Sequence, residues 1–237
     1  KDNVFNKTKF FPDSKLNYTE NILKKKSDKL AINFLSEKGF EENITWNELY
    51  EKVCKFSSYL KKLNLQKGDR VAAYVPNKIE TIICFLACAK NGIIWSSCSP
   101  DFGAQGVVDR FKQIEPKVFI TCDYYYYNGK KINILDKVEK ILKQIPSIKK
   151  VIAFNYNKQE RESLKNFINF EETLKNDLDE VFERFEFNHP IYILFSSGTT
   201  GKPKCITHGS GNVLIEHNKE FMLCLLYTSD AADDNVG

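Results

Sequence analysis

The sequence lacks the features that define several large classes of protein. No run of about 18 apolar residues occurs in its 237 positions, so no membrane span is predicted. The N-terminal residues Lys1 to Phe5 hold no apolar signal region, and the missing initial Met favours an incomplete chain. No low-complexity tract and no linker rich in Pro or Gly divides the sequence. The length suits one large domain or two small ones.

The cysteines do not form a recognisable metal or disulfide pattern. All seven are irregularly spaced, which indicates a reducing environment and predicts a cytoplasmic location. Cys84 and Cys88 stand four residues apart in an apolar helical stretch, but no nearby His or second Cys pair completes a zinc set. Buried thiols are therefore favoured over ligands, and no metal-ligating residue is predicted.

Charge of one sign does not dominate the chain. Lys and Arg number 35 against 31 Asp and Glu, for a formal net charge of +4. The basic residues are scattered and not gathered into one face or arm, so the sequence indicates no nucleic-acid partner. A Ser/His/Asp constellation for nucleophilic catalysis is also missing.

One stretch, residues 191–208, is rich in features that suit a ligand. Ile191 to Phe195 has the length and composition of a buried strand, and Cys205 to Thr207 reads as a second, shorter strand. Between them, Ser196 to Gly201 supplies two serines, two threonines and two glycines. Glycines permit unusual backbone angles and close ligand approach, and clustered N–H groups and hydroxyls suit phosphate oxygens. The stretch therefore predicts a phosphate-binding strand–loop–strand.

Lysines flank this loop, and the spacing of its glycines distinguishes it from a Walker loop, the other common phosphate-binding loop. Lys202 and Lys204 add positive charge, and Pro203 stiffens the exit. A Walker loop has four residues between its glycines and opens a helix, whereas two residues separate Gly198 from Gly201 here. The competing interpretation is a flexible hairpin turn without a ligand.

The nine residues from Ser196 to Lys204, Ser-Ser-Gly-Thr-Thr-Gly-Lys-Pro-Lys, resemble the phosphate signature of the adenylate-forming superfamily. That superfamily includes acyl-CoA synthetases, luciferases and peptide-synthetase adenylation domains. The chain departs from it at Cys205, where glycine is usual. The resemblance implies ATP and Mg²⁺ as cofactors. The residues that it assigns to the ATP phosphates are Ser196, Ser197, Gly198, Thr199, Thr200, Gly201 and Lys204.

Alternating helix and strand patterns precede the loop. Predicted helices lie at 18–25, from Trp46, at 79–89, at 106–113 and at 134–145, and predicted strands at 31–35, 71–75, 93–97, 118–121 and 151–154. Residues 37–43 read as a polar hairpin, Ile44 and Thr45 as the start of the returning strand, and residues 160–184 as helix and loop across the surface. Such β-α units predict an α/β fold with a mostly parallel sheet, flanked by helices and with ligands at the carboxyl ends of strands. The resemblance identifies it as the N-terminal part of the adenylate-forming fold, truncated.

Two helix starts carry capping signals. Thr45 is followed by Glu48 three residues later, and Asn77 by Glu80, so both pairs are predicted to form capping boxes.

An aromatic run, Tyr124 to Tyr127, is predicted to lie partly in the core and partly in the wall of the ligand site.

Further matches narrow the resemblance to the acetoacetate–CoA ligases rather than the acetate–CoA ligases. They cover roughly residues 10 to 223, and their segments are Ser99 to Gly103, Asp109 to Phe111, Gln113 to Lys117, Tyr127 to Lys130, and His208 to Gly211 with Glu216 and His217. Taken singly, each match has a plainer interpretation. Asp101 to Gly103 suit a turn with a packed ring, and Asp109 and Arg110 suit a surface ion pair. His208 is as readily a structural residue as a catalytic one.

The resemblance implies activation of acetoacetate by ATP and transfer of the acyl group to CoA. Tyr127 to Lys130 resembles in its order the segment that contacts the CoA phosphates in acetyl-CoA synthetases, and this resemblance implies that Lys130 holds a CoA phosphate as a point charge. The superfamily's catalytic lysine belongs to a later part of such proteins, so no catalytic residue is assigned and the chain alone is expected to be inactive. Two alternatives stay open: a ligase for acetate, propionate or another short acid, and a nucleotide-binding module without catalysis.

The end of the chain has an unusual composition. Codons that encode Cys224 to Asp233 can be chosen so that they reproduce the nucleotide sequence of a common sequencing adapter, read in one frame. Residues 1–223 are therefore predicted to be an incomplete N-terminal AMP-binding domain, and residues 224–237 to be adapter read-through. A genuine acidic loop is the alternative.

Overall fold

A computed structural model describes residues 10–160, 164, 166–196 and 201–225 of the chain. Within that part, strands alternate with helices along most of the sequence. The strands are β1 (Lys15–Leu16), β2 (Leu30–Leu35), β3 (Glu41–Thr45), β4 (Arg70–Tyr74), β5 (Ile94–Cys98), β6 (Val118–Cys122), β7 (Tyr124–Tyr127), β8 (Lys130–Asn133), β9 (Lys150–Phe154), β10 (Ile168–Asn169), β11 (Phe185–Glu186), β12 (Pro190–Phe195) and β13 (Cys205–Gly209). The helices are α1 (Tyr18–Ile22), α2 (Trp46–Lys62), α3 (Ile79–Lys90), α4 (Ala104–Ile114), α5 (Leu135–Gln144), α6 (Phe170–Thr173) and α7 (Ser210–Lys219). A π-helical segment, Glu220–Leu225, follows α7.

The central feature is a seven-stranded sheet in the order β10-β9-β6-β4-β5-β12-β13. Its first six strands run parallel, and β13 pairs antiparallel with β12 at the edge. This confirms the predicted α/β class and the mostly parallel sheet. The ends of the predicted strands and helices differ from the observed ones by a few residues.

Helices cover both faces of this sheet. The chain moves one way from β4 to β5 and the other way from β5 to β6 and on to β9. Because parallel crossovers are right-handed, opposite directions place the intervening helices on opposite faces. The packing agrees, since α2 contacts α3 while α4 contacts α5. The core lies between these layers and the sheet.

Local sequence explains the main elements. The stripe of Leu49, Val53, Phe56 and Leu60 on α2 is fully buried, as its helical spacing predicts. Strand β4 reads Arg-Val-Ala-Ala-Tyr, and four of its five residues are buried, as expected of a strand covered on both faces.

The predicted capping box before α2 is confirmed. The Glu48 backbone N–H donates to Thr45 Oγ1 at 3.2 Å, and the Thr45 N–H donates to Glu48 Oε2 at 2.8 Å. The predicted box before α3 is wrong. The residue before that helix is Lys78, not Asn77, and no side chain caps the helix. Glu80 turns into the protein instead, where its Oε2 lies 3.8 Å from the Lys78 ammonium.

The hairpin boundary also needs correction. The returning strand β3 begins at Glu41 and not at Ile44, because the turn is compact: Ser36 N–H donates to Phe40 O at 2.8 Å. The ladder then extends from Leu35 opposite Glu41 to the start of the helix.

The prediction of helix and loop across the surface at 160–184 is wrong in part, because β10 joins the central sheet there and Phe170 of α6 is buried. A strap without regular structure, residues 174–184, then follows. Lys90, fully buried at the end of α3, holds this strap through Asp179 Oδ2 at 2.9 Å and Val181 O at 2.7 Å. No helix in the described part of the chain is long and apolar enough to cross a membrane.

Candidate functional site

A pocket of about 300 Å³ opens at the carboxyl ends of the central strands. Strands β4 and β6 are neighbours whose onward connections leave in opposite directions, and open α/β sheets bind ligands at such a reversal. The pocket is lined by residues that follow β4, that end or follow β5, and that lie on α3 and β7: Val75, Pro76, Asn77, Thr81, Ser97, Cys98, Ser99, Pro100, Asp101, Tyr125, Tyr126 and Tyr127.

The loop from Ser99 to Gly103 forms one wall and is held by two tyrosines. Tyr74 is fully buried, and its hydroxyl donates to Pro100 O at 2.7 Å or Phe102 O at 2.6 Å. Tyr125 donates to Asp101 Oδ1 at 2.8 Å. Burial raises the pKa of both phenols, so they stay protonated and act as donors. The wall is therefore held in one conformation.

The aromatic run behaves as predicted. Tyr124 is fully buried, Tyr125 is nearly so, and Tyr127 is 58% exposed at the pocket. Burial decreases along β7 from Tyr124 to Tyr127, so the start of the run packs in the core and its end borders the pocket.

The predicted phosphate loop is framed by antiparallel strands. Phe195 on β12 pairs with Cys205 on β13, and the next backbone contact is Ser196 N–H to Lys204 O at 3.1 Å. The two predicted strands are thus confirmed, but the first is not the fully buried strand that was predicted, because Leu194 is 45% exposed. Because β12 is parallel to β5, the loop lies at the same edge of the sheet as the pocket.

The central part of the predicted motif, Ser197, Gly198, Thr199 and Thr200, lies outside the described residues. Of the others, Ser196 is half-buried, whereas Gly201 and Lys204 are exposed. Gly201 has a φ of +137°, a backbone region that favours glycine. The structure therefore brings Ser196 and Lys204 together and leaves the roles assigned to all seven residues as predictions.

A residue without a predicted role contacts the exit of the loop. Gln113, at the end of α4, donates through Nε2 to Pro203 O at 2.9 Å, and its Oε1 lies 3.8 Å from Cys205 Sγ. This contact spans about 90 residues of sequence, so local pattern reasoning could not locate it.

Lys130, the predicted CoA ligand, lies on a different hairpin. Strands β7 and β8 pair with Tyr127 opposite Lys130, and Asn128 and Gly129 make the two-residue turn. Lys130 is exposed next to the pocket wall. Among the described residues, no hydrogen bond or ion pair joins it to Ser196, Gly201 or Lys204.

The histidine after the loop packs against a tyrosine of the neighbouring strand. His208 lies opposite Tyr192 on the neighbouring strand, and the two rings are 4.9 Å apart. Asp109 and Arg110 do not form the surface ion pair of the plainer interpretation: Arg110 donates to Gly106 O at 2.7 Å and covers the Phe102 ring.

The described residues do not form a metal centre. They include no group of three or more His, Cys, Asp or Glu side chains that could hold a metal ion. Cys84 and Cys88 are fully buried, and burial raises the pKa of both thiols. Burial likewise raises the pKa of Cys98, in the pocket wall, to about 11. These thiols are therefore neutral near pH 7 and are not nucleophiles.

Comparison with known proteins gives consistent matches. Residues 19–234 match the family model described as AMP-binding enzyme. The chain is 44% identical over 218 residues to acetoacetyl-coenzyme A synthetase from Rhizobium meliloti (strain 1021), covering 90% of this chain and 33% of that protein. It is 41% identical over 227 residues to acetoacetyl-CoA synthetase from Xenopus tropicalis, covering 90% of this chain and 34% of that protein.

A solved structure has the same fold. Acetoacetyl-CoA synthetase from Streptomyces lividans superposes with a TM-score of 0.85 at 36% identity, over 90% of this chain and 33% of that one. The chain thus spans about a third of the length of these relatives. The family match ends inside residues 224–237, and the proposed read-through of that tail stays a prediction.

Proposed function

Because the chain belongs to the AMP-binding enzyme family, we propose that the full-length protein activates acetoacetate with ATP and transfers it to CoA. The relatives just described carry acetoacetyl-CoA synthetase activity in their names, which supports acetoacetate as the acid. The activity is proposed for the whole protein, of which this chain supplies the loop and the pocket.

The observation that carries the proposal is the closure of the loop. A single backbone hydrogen bond, Ser196 N–H to Lys204 O at 3.1 Å, joins the two ends of the motif. The two ends of the motif therefore lie side by side at the carboxyl end of β12. Successive N–H groups and hydroxyls in a segment rich in Gly, Ser and Thr can form a donor surface for phosphate oxygens.

This surface suits the first half-reaction. A carboxylate oxygen of acetoacetate attacks the α-phosphorus of ATP, and the bond from that phosphorus to the β-phosphate oxygen breaks. Acetoacetyl-AMP forms and pyrophosphate leaves, so negative charge builds on the departing phosphates. Donors in the loop and the Lys204 ammonium stabilise that charge without a covalent step. Mg²⁺, when bound with ATP, supplies further charge neutralisation.

The second half-reaction needs CoA near the same edge of the sheet. The CoA sulfur attacks the acyl carbon, a C–S bond forms, the C–O bond to AMP breaks, and the thiol proton is lost to solvent. We assign the CoA nucleotide to the pocket walled by Ser99 to Asp101 and by Tyr125 to Tyr127. Lys130, opposite Tyr127, then provides a point charge for a CoA phosphate.

ATP–pyrophosphate exchange by the full-length protein tests the proposal. Exchange that depends on acetoacetate, and is weaker with acetate or propionate, is the expected result. Faster exchange with acetate or propionate would reassign the substrate. Binding of ATP without exchange for any short acid would instead support a nucleotide-binding module and overturn the enzymatic proposal.

A further inference from the structure

Two hairpins from distant parts of the chain meet at their turns. The β2–β3 turn carries Glu37, and the β7–β8 turn consists of Asn128 and Gly129. Glu37 Oε1 accepts from the Asn128 N–H at 3.3 Å, and its Oε2 accepts from the Gly129 N–H at 2.9 Å. One carboxylate thus binds two successive backbone donors more than 90 residues away.

The receiving turn is built to present these donors. Asn128 has a φ of 48° and Gly129 a φ of 72°, the left-handed values that a two-residue type I′ hairpin turn needs at both positions. In such a turn the two central N–H groups point away from the hairpin ladder. Glu37 therefore satisfies donors that the hairpin itself cannot use.

The turn that carries Glu37 is also well fixed. Ser36 is buried, and its Oγ accepts from the Phe40 N–H at 3.1 Å and the Lys38 N–H at 3.3 Å. Between the hairpins, Tyr156 packs 5.9 Å from the Phe34 ring and 5.7 Å from the Tyr126 ring. The carboxylate therefore projects from a rigid base.

We propose that Glu37 is a positioning residue for CoA binding: it fixes the β7–β8 turn and so aims Lys130 at the pocket. The inference rests on the proposed function of Lys130 and deepens it. Lys130 is the first residue after the turn, so a rotation of the turn displaces its ammonium. Tyr127, opposite it, moves with the same turn and forms part of the pocket wall.

Steady-state kinetics on the full-length protein test this role. Glu37→Ala removes both acceptors and should raise the KM for CoA about tenfold, whereas Glu37→Gln keeps one acceptor oxygen and should raise it about threefold. ATP–pyrophosphate exchange, which needs no CoA, should be unchanged in both. The matched control is Glu41→Gln, since Glu41 is on the same hairpin but accepts from the side chains of Asn33 and Asn43 of that hairpin.

A double-mutant cycle links the effect to Lys130. In a Lys130→Ala background, Glu37→Ala should raise the KM for CoA no further, because the group that it positions is gone. A full additional rise would overturn the inference, and so would an equal effect of Glu41→Gln. A lower KM for CoA in Glu37→Ala would also overturn it, because the carboxylate would then compete with a phosphate for the turn.

These outcomes differ from a failure of the proposed function. If the wild-type protein formed no acyl-CoA thioester with any short acid, the proposed function would fail first. An active wild type with an unchanged KM for CoA in Glu37→Ala would overturn only the positioning role.

Discussion

The Lys90 ammonium lies 2.9 Å from the Asp179 carboxylate and connects the end of α3 to the strap across the surface. The Lys90 side chain is completely buried, whereas that of Asp179 is 17% exposed. Lys61 also contacts Asp179, at 2.6 Å. Burial by itself would raise the pKa of Asp179, but hydrogen bonds from Lys61 and Lys90 outweigh it and lower the pKa to about 2. This pair fastens an irregular segment to the core.

The Asp179 contacts should make stability depend on acid pH. Because the pKa is lower in the folded state than in the unfolded state, the contribution is present above about pH 4 and is lost as the pH falls toward 2. Asp179→Asn should cost about 3 kcal/mol of unfolding free energy at pH 7, since it leaves a buried lysine unpaired. Urea titrations of wild type and variant at pH 7 and pH 3 measure both effects, and the difference between the proteins should shrink at pH 3.

The control for this prediction is Asp177→Asn, an exposed carboxylate on the same strap. It should change the free energy of unfolding by less than about 0.5 kcal/mol. An Asp179→Asn difference that is the same at both pH values would show that the carboxylate is not the titrating group.

Lys204 should contribute to the ATP half-reaction more than its neighbour Lys202. Lys204 closes the loop through its backbone, whereas Lys202 lines a cavity with Gln105, Asp109 and Gln113 of α4. Loss of one well-placed phosphate donor costs on the order of 100-fold in rate. Lys204→Ala should show that loss in ATP–pyrophosphate exchange, and Lys202→Ala less than about fivefold. Equal losses in the two variants would mean that only general positive charge matters.

Lys130 should affect the CoA half-reaction alone. In Lys130→Ala we expect the KM for CoA to rise about tenfold because a point charge near a phosphate is removed. The rate of acyl-adenylate formation should be unchanged. Lys131→Ala is the matched control, since the Lys131 ammonium lies 3.8 Å from the centroid of the buried Tyr124 ring. A CoA dependence like that of the wild type would remove Lys130 from the site.

Tyr74 should stabilise the pocket wall. Tyr74→Phe leaves Phe102 O without its phenolic donor and Pro100 O with only the Lys137 ammonium at 3.3 Å, at a cost of about 1 kcal/mol for the lost hydrogen bond. The thermal midpoint should fall and the KM for CoA should rise, as calorimetry and kinetics would show. Tyr59→Phe, on the half-buried side of α2, is the control and should change neither. A Tyr74→Phe protein with an unaltered midpoint would mean that the hydroxyl contributes no net stability.

Local signals predicted a large part of the fold. The Thr45 capping box, the buried stripe on α2 and the strands that frame the phosphate loop each depend on residues within a few positions of one another. The capping prediction at Asn77 failed because tertiary contacts outweighed the local pattern. Lys78 contacts Glu42 and the rings of Phe34 and Phe40, so the chain enters α3 one residue later and Glu80 faces inward.

The candidate site likewise contains residues that the sequence predicted and residues that only the structure revealed. The loop motif and the aromatic run were recognisable in the sequence because their chemistry is contiguous. Glu37 and Gln113 were not, because each contacts backbone about 90 residues away. A hydrogen bond at that separation leaves no periodicity and no spacing in the sequence.

The amino-acid sequence by itself determined the β-α alternation, the strands β12 and β13 that frame the loop, and the family, since periodic burial and short-range hydrogen bonds are properties of neighbouring residues. Tertiary structure alone decided which turns meet, which wall the tyrosines form and how a buried lysine is neutralised. Those outcomes depend on strand order and on the reversal of the crossovers between β4 and β6, which bring remote segments to one edge of the sheet.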